Sequence, residues 1–243
     1  ATAPTRGVYV VRSETGDRAF AGFGTIDTSE FADTQLQADR LPVELFKTAE
    51  FLVLGSLEMA YPNSHEATMQ AIHLAKQSDT KILLDVNWRP VFWHDPAAAP
   101  AVIRQLVNQA DFLKLSDEEA EWLFETTDPG AIANQVGDVS GVLVTAGEKG
   151  CAYWLQGNEG EIPAFAIDVE DTTGAGDSFL AGFLHQLCQQ GIHSLKDADT
   201  AQAIVRYASA VGAMTTTRPG AIAAQPIAAE VAAFLQLNQS VDG

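Results

Sequence analysis

Apolar and polar positions alternate along the chain in a way that predicts an α/β protein. Short apolar runs predict buried strands at 51–55, 81–86, 111–115, 142–145 and 151–155. Between them, apolar residues recur every three or four positions and predict helices at 42–50, 63–77, 97–109, 116–124, about 128–136, 176–190, about 199–214 and about 227–237. Strands that alternate with helices are typical of a largely parallel sheet with helices on both faces.

The first 28 residues follow a different pattern. Residues 7–12 and 18–24 predict two strands joined by a turn at Glu14-Thr15-Gly16-Asp17. We expect this hairpin to stand apart from the main sheet, and we divide the chain into a hairpin segment, 1–28, and an α/β core, 29–243. The alternative is an ordinary edge hairpin, and its apolar face would comprise Tyr9, Phe20 and Phe23.

The polar stretch Asp171-Thr172-Thr173-Gly174-Ala175-Gly176-Asp177 runs directly into an amphipathic helix. The helix is predicted to begin near Gly176, to end at Gly191, and to face a core with Phe179, Leu180, Phe183, Leu184, Leu187 and Cys188. Gly174-Ala175-Gly176 has no bulky side chain, so its backbone N–H groups would point at whatever lies in front. A helix N-terminus carries unsatisfied donors and about half a positive charge, and therefore suits an anion.

Asp177 is placed at the mouth of this predicted anion site. A carboxylate there weakens anion binding by like-charge repulsion, but it can take a proton from a hydroxyl that attacks the anion. The alternative is that Asp177 or Thr173 only caps the helix. Gly-x-Gly by itself is too short a motif to separate the two.

Polar residues follow several predicted strands. In parallel sheets, ligands bind beyond these carboxyl ends of the strands. The polar residues are Asp85, Asn87 and Arg89 after one strand, Ser116 to Glu119 after the next, Thr145 to Lys149 after the third, and Asp171 to Asp177. We expect these four segments to converge on one rim. Each has a plainer alternative: a polar turn at 85–87, a capping box between Ser116 and Glu119, and a hairpin loop at 145–150.

Charge and composition exclude several classes of function. The net charge of −18 argues against nucleic acids and anionic membrane surfaces as partners. Two cysteines and the lack of an apolar run of about 18 residues favour a soluble protein of a reducing compartment, so we expect a cytoplasmic protein. The five histidines show no metal-ligand spacing. P-loop and dinucleotide-binding motifs are absent from the sequence, which disfavours both classes.

The stretch 171–177 resembles the C-terminal signature of the ribokinase/PfkB family of carbohydrate kinases. The segments 85–93, 144–150 and 210–222 are similar to the fructokinase branch, and the resemblance covers essentially the whole chain. It implies a three-layer α/β/α fold of ribokinase type, with a mostly parallel sheet and a small β-hairpin lid formed by residues 7–24. It also implies transfer of the γ-phosphate of ATP, with Mg²⁺, to the hydroxyl of a small sugar, most simply fructose.

The resemblance also implies a role for individual residues. Asp177 matches the general base, and Gly174, Ala175 and Gly176 match the anion hole for the transferred phosphate. The remaining positions match those that contact the nucleotide and cations: Asn87 and Glu119 for phosphates and hydrated Mg²⁺, Thr145, Gly147 and Ser209 for the nucleotide, and Asp171 and Thr173 for a monovalent cation such as K⁺. The lid often forms a dimer interface in this family, which makes a homodimer an expectation by resemblance alone.

The chain departs from the family pattern at three places. Ser116 and Ser209 stand where Asn is usual, so the contacts to phosphate and nucleotide there are expected to be weaker. The chain also begins at the lid, without the Gly-Gly-Ala-x-Asn segment of the sugar site, so a sheet edge should be exposed. The competing hypotheses are a non-catalytic fructokinase-like binding subunit and a kinase for another sugar or nucleoside. A NAD-binding protein is a more distant one, because its fingerprint is missing.

Overall fold

A computed structural model of the protein describes residues 3–12 and 18–239. It divides the chain into two compact units, residues 1–110 and residues 111–243. The proposed division into a segment 1–28 and a core 29–243 stays a prediction. No helix within the described ranges is both long and apolar enough to cross a membrane.

The first unit opens with the predicted hairpin and continues with a parallel strand pair. β1 and β2 pair antiparallel, and β3 pairs in parallel with β4, with Phe51 opposite Lys81. Short 3₁₀ turns cover much of residues 28–60 and 90–92. The elements are β1 Tyr9–Arg12, β2 Arg18–Gly22, α1 Val43–Phe46, β3 Phe51–Leu54, α2 Pro62–Gln77, β4 Lys81–Asp85 and α3 Ala99–Val107.

Burial in the first unit follows the apolar pattern of its strands. Ile82, Leu83 and Leu84 of β4 are at most 1% exposed, as expected for a strand covered on both faces. β3 is only half-buried, and its Val53 is 43% exposed. Among the described strands β3 pairs with β4 alone, and it carries no charged residue that would discourage further pairing.

Two predictions in this unit are wrong in detail. The helix predicted at 42–50 is a single turn, α1, after which the chain passes directly to β3. The helix predicted at 63–77 begins one residue earlier, at Pro62, and its N-cap is Tyr61 without a side-chain hydrogen bond. Proline is pre-organised for the first position of a helix, and it moved the start one residue earlier. The turn predicted at 14–17 and the side chain of Phe20 lie outside the described residues.

The second unit carries four strands and five helices among its described residues. β5 and β6 are parallel, and β6, β7 and β8 form an antiparallel meander. The elements are β5 Phe112–Ser116, α4 Asp117–Phe124, α5 Pro129–Val136, β6 Gly141–Thr145, β7 Cys151–Leu155, β8 Asn158–Ile162, α6 Ala175–Gln190, α7 Ala198–Thr215 and α8 Ala228–Gln239.

Helices cover both faces of these four strands, as predicted. Phe112 of β5 packs edge-on against Phe183 of α6, with ring centroids 5.9 Å apart. Lys114, Leu143 and Tyr153 lie in one row across β5, β6 and β7, on the same side as Phe112. α5 lies on the other side, where a Cβ added to Gly130 would meet the Glu159 side chain of β8. The side chains of β5 and β6 are therefore largely buried, whereas Glu159 and Glu161 of β8 are exposed.

Two further predictions in the second unit require correction. Cys188 is exposed and does not face the core that Phe179, Phe183 and Leu187 of α6 enter. β8 was not predicted, because Asn-Glu-Gly-Glu-Ile combines residues that are depleted in strands. Its Gly160 lies opposite Tyr153, whose ring occupies the space where a side chain at 160 would be.

Candidate active site

The start of α6 presents backbone amides without a side-chain cap. Gly174 is the N-cap residue at φ 78°, a left-handed conformation that favours glycine. A Cβ at Gly174 would lie 2.8 Å from the Cβ of Ala221, so the loop at 221 closes directly over it. Because no side chain caps α6, the alternative that Asp177 or Thr173 serves as the cap is wrong. Ala175 N donates to the carbonyl of Thr172 at 3.2 Å, so the other amides at this end are the ones available to an anion.

α7 holds this helix start in place by close packing. A Cβ at Gly182 of α6 would lie 2.9 Å from Val211, and a Cβ at Gly212 of α7 would lie 3.1 Å from the carbonyl oxygen of Ala175. Both glycines therefore let the two helix backbones approach each other. The first turn of α6 is therefore held by its packing against α7.

Lys114 places a positive charge beside the same helix start. It lies in the middle of β5 and is only 7% exposed. Its Nζ lies 3.0 Å from the position that a Cβ on Gly176 would occupy. The ammonium and the positive end of the α6 dipole therefore act on the same small volume. Sequence reasoning missed this residue, although one lysine in the apolar run Phe-Leu-Lys-Leu is a signal, because buried lysines are rare.

Asp177 lies in the first turn of α6, one residue after Gly176. The residue is exposed, and its carboxylate has no hydrogen bond or ion pair among the described residues. Ser178 beside it is fully buried. A free, exposed carboxylate next to a positively charged helix start is what proton abstraction from a bound hydroxyl requires.

Asp171 is buried and ties two loops together. Its Oδ1 accepts from the Thr173 amide at 2.9 Å, and its Oδ2 accepts from the Gly220 amide at 2.9 Å. The amides of Glu170 and Asp171 both donate to the carbonyl of Thr216 just after α7. Asp171 is 97% buried, and its carboxylate orders this segment. Its predicted cation role would therefore be added to a structural one.

Glu119 and Thr145 lie at the carboxyl ends of two neighbouring strands. Ser116 and Thr145 are opposite each other in β5 and β6, so these segments converge as predicted. The capping box predicted as an alternative is present: Ser116 N donates to Glu119 Oε2 at 2.9 Å, and Glu119 N donates to Ser116 Oγ at 3.1 Å. Thr145 Oγ1 donates to the carbonyl of Leu115 at 3.2 Å. Both polar side chains are thus held rigidly at this rim.

Gly147 and Ser209, both predicted to contact the nucleotide, differ in their exposure to solvent. Gly147 is exposed at φ 54° in the tight turn between β6 and β7, so this segment does form a hairpin loop, and its contact with a nucleotide stays a prediction. Ser209 lies on α7, and its Oγ is shielded from solvent without a partner among the described residues. The hydroxyl of Ser209 is therefore covered in this conformation.

Asn87 belongs to the first unit, directly beyond β4. It is half-buried, and its backbone adopts φ 42°, which Asn tolerates better than most residues. Asp85, which we expected just after the strand, is its last residue and is 5% exposed. Arg89 is exposed, and its Nη1 donates to the carbonyl of Trp88 at 2.7 Å.

Two geometric features bear on metal and phosphate binding. Within residues 3–12 and 18–239 no group of three or more His, Cys, Asp or Glu could hold a metal ion. A cavity of about 620 Å³ in the second unit is lined by Asp117, Asp128, Glu159 and Glu161 with Lys149, and its acidic wall does not suit a polyphosphate.

Comparison with known proteins identifies relatives across the chain. The family model described as pfkB family carbohydrate kinase matches residues 1–228. A probable fructokinase-3 of Arabidopsis thaliana is 34% identical over 232 residues, which are 94% of this chain and 66% of that relative. The chain thus spans slightly less than two thirds of the length of that relative.

Solved structures show the same fold. A fructokinase from Xylella fastidiosa with bound ATP is 27% identical, with a TM-score of 0.87 over 98% of this chain and 76% of its own. A fructokinase double mutant from Vibrio cholerae O395, in a form bound to fructose, ADP and potassium ion, is 29% identical, with a TM-score of 0.80 over 96% of this chain and 74% of its own. The predicted ribokinase-like α/β fold with a mostly parallel sheet is confirmed.

Proposed function

Since the chain belongs to the pfkB family of carbohydrate kinases, we propose that it is an ATP-dependent sugar kinase that phosphorylates fructose. The observation that carries this proposal is the anion site at the start of α6. There, a helix start at Gly174 without a side-chain cap, the Lys114 ammonium and the Asp177 carboxylate occur together. Fructose as acceptor is supported by the relatives, which are named fructokinases.

Phosphoryl transfer needs charge neutralisation and positioning more than covalent help. In the proposed reaction, a sugar hydroxyl oxygen attacks the γ-phosphorus of ATP while Asp177 takes the hydroxyl proton. The bond from the γ-phosphorus to the bridging oxygen breaks, and ADP leaves. The Lys114 ammonium and the α6 amides stabilise the negative charge on the transferred group.

Cations complete the charge balance of an acidic protein with a net charge of −18. Mg²⁺ would neutralise the phosphates of ATP, and Glu119 and Asn87 are the residues proposed to hold its hydration shell. Asp171 and Thr173 are proposed to take part in a K⁺ site, and the buried carboxylate of Asp171 supports this. Thr145 and Gly147 are proposed to contact the nucleotide.

The decisive test is ADP release by the purified chain with ATP and Mg²⁺. Fructose, ribose, glucose, adenosine and no acceptor would be compared, with Asp177→Ala and Asp177→Asn as variants. Removing a general base costs about 10²–10⁴ in rate, and because Asp177 is exposed, both variants should fold and bind ATP as the wild type does. Near-normal turnover by Asp177→Asn would rule out the base role.

A second outcome would favour a different function. If ATP raises the melting temperature but no acceptor yields ADP, the chain is a nucleotide-binding, fructokinase-like subunit. Turnover with ribose or adenosine in place of fructose would instead assign another acceptor within the same chemistry.

A further inference from the structure

A buried arginine in the first unit lies inside a box of aromatic rings. We name this the Arg6 cluster: Arg6, Phe23, Phe31, Asp33, Tyr61 and Phe92. The guanidinium carbon of Arg6 lies 4.8 Å from the ring centroid of Phe31, 4.9 Å from that of Phe92, 5.3 Å from that of Phe23 and 5.6 Å from that of Tyr61. Its side chain is 9% exposed, and its Nε lies 2.7 Å from Asp33 Oδ2.

Both ends of the β1–β2 hairpin enter this cluster. Arg6 lies three residues before β1, and Phe23 follows directly after β2. Phe23 packs against Phe92 at 4.9 Å and against Phe31 at 6.1 Å between centroids. A backbone hydrogen bond from Ala32 N to Pro4 O, 2.9 Å long, holds the segment before Arg6 as well. The base of the hairpin is thus attached to the first unit through one compact contact.

The packing of the rings in the Arg6 cluster does not by itself require the positive charge of Arg6. Arg6 Nη1, Asp33 Oδ1 and Tyr61 Oη are shielded from solvent and have no hydrogen-bond partner among the described residues. Such groups are costly to bury, and an apolar side chain of similar size would fill the same space at lower electrostatic cost. What only arginine provides is a flat cation that stacks on several rings and fixes their relative orientation.

We infer that Arg6 is a positioning residue that sets the orientation of the β1–β2 hairpin. The inference rests on the proposed function in one respect: the resemblance to carbohydrate kinases implies that this hairpin is a lid, and a lid would cover the bound sugar. A hairpin with a loose base would hold the sugar less well, whereas ATP binding at the start of α6 would be unaffected. Arg6 therefore acts on sugar affinity through the hairpin and does not take part in the chemical step.

The first test does not depend on activity. Hydrogen exchange is measured on the full chain for the wild type, Arg6→Leu, Arg6→Lys and the matched control Arg40→Leu, which removes an exposed arginine of the same unit. Amides of β1 and β2 should exchange about tenfold faster in Arg6→Leu, since local opening follows the loss of contacts. Arg6→Lys should lie in between, and α6 and α7 should not change. Wild-type exchange in the hairpin of Arg6→Leu would overturn the inference.

The second test separates positioning from general damage. In Arg6→Leu the KM for fructose should rise about three- to tenfold, with kcat and the KM for ATP within about twofold of the wild type. Loss of folded protein would instead lower kcat and leave both KM values unchanged, which would contradict the inference. If Arg6→Leu does not fold, the same comparison is made with Arg6→Lys. If the wild type shows no sugar-dependent turnover, the proposed function fails, and hydrogen exchange alone decides the role of Arg6.

Discussion

Arg6 and Lys114 are both buried cations, but their surroundings differ. Arg6 is stacked between four aromatic rings and paired with the carboxylate of Asp33 at 2.7 Å. Lys114 points at a glycine in the first turn of a helix, where the backbone dipoles add further positive charge. The first charge is neutralised within the fold, and the second lies where a further positive potential already exists.

The difference separates a structural cation from one suited to a ligand. Burying a charge is expensive unless a partner compensates it. At Arg6 the partner and the aromatic faces are part of the protein, so the charge serves the geometry of the fold. At Lys114 the ammonium lies beside the start of a helix, where it and the helix dipole would both attract an anion. We therefore expect opposite consequences when the two charges are removed.

The largest expected effect is that of Lys114→Met, which keeps the length of the side chain and removes its charge. The kcat for sugar phosphorylation should fall by about 10²–10³, as it does when one donor to a developing anion is lost. Cooperative thermal unfolding of the variant should show that the loss of turnover is not a loss of folded protein. Turnover and thermal unfolding are the two measurements.

Lys149→Met is the matched control for this prediction. Lys149 belongs to the same unit, and its side chain is 76% exposed beside Asp117. Its loss should leave kcat within about twofold, since exposed ion pairs contribute little. If Lys149→Met and Lys114→Met lower kcat equally, the effect comes from the net charge of the protein, and the contrast between the two buried cations has no functional meaning.

Gly176→Ala should have a smaller effect and sharpen the comparison. The added Cβ would lie 3.0 Å from Lys114 Nζ, so the flexible ammonium must move away from the helix start. Activity should fall about tenfold, a typical loss for a misplaced charge-stabilising group. Stability should rise by up to about 1 kcal/mol, because alanine is a better helix former than glycine. Unchanged kcat would show that the position of the ammonium is unimportant.

The smallest expected effect concerns the pH dependence of stability and the reactivity of the Cys151 thiol, which lies near Lys114. Burial raises the pKa of Cys151 to about 12, and the nearby Lys114 charge opposes this only in part. Because the pKa in the folded state is raised, stability from this group is complete below the ordinary thiol pKa of about 8.5 and is lost as pH rises toward 12. At pH 8 a Cys188→Ser variant should react with a thiol reagent only after unfolding.

Exposed Cys188 provides the internal comparison for that experiment. A Cys151→Ser variant keeps Cys188 and should be labelled rapidly in the folded state. Rapid labelling of Cys151 in the folded Cys188→Ser protein would mean that the region around Lys114 is open to solvent. The ammonium would then be screened, and its expected effect on turnover would be small.

Much of the fold was predictable because strands and helices follow from local periodicity. The strands at 81–86 and 151–155 and the helix at 63–77 agree with β4, β7 and α2 within one residue. The predictions were wrong where an element depends on segments that it meets only in the folded protein. β8 forms from a charged, Gly-containing sequence because it pairs with β7 and lets the Tyr153 ring cross Gly160. The helix predicted at 42–50 is cut to one turn where the chain continues into β3.

The candidate site was only partly predictable for the same reason. The glycine-rich start of α6 without a side-chain cap is a local feature of one loop and one helix, so the sequence alone located it. Lys114 is 62 residues away from Gly176 along the chain (176 − 114 = 62), and only the register of β5 beneath α6 brings them together. Likewise, Asp171 is linked to Gly220 only because the loop after α7 returns to it.

The sequence by itself determined the alternation of strands and helices, the glycine-rich start of α6 and the family to which the chain belongs. Only the tertiary structure decided which charges are buried, and beside what. Periodicity and short motifs are set by residues within a few positions of each other. The cost and use of a buried charge depend on distant segments that folding brings within a few ångströms of it, as at Arg6 and Lys114.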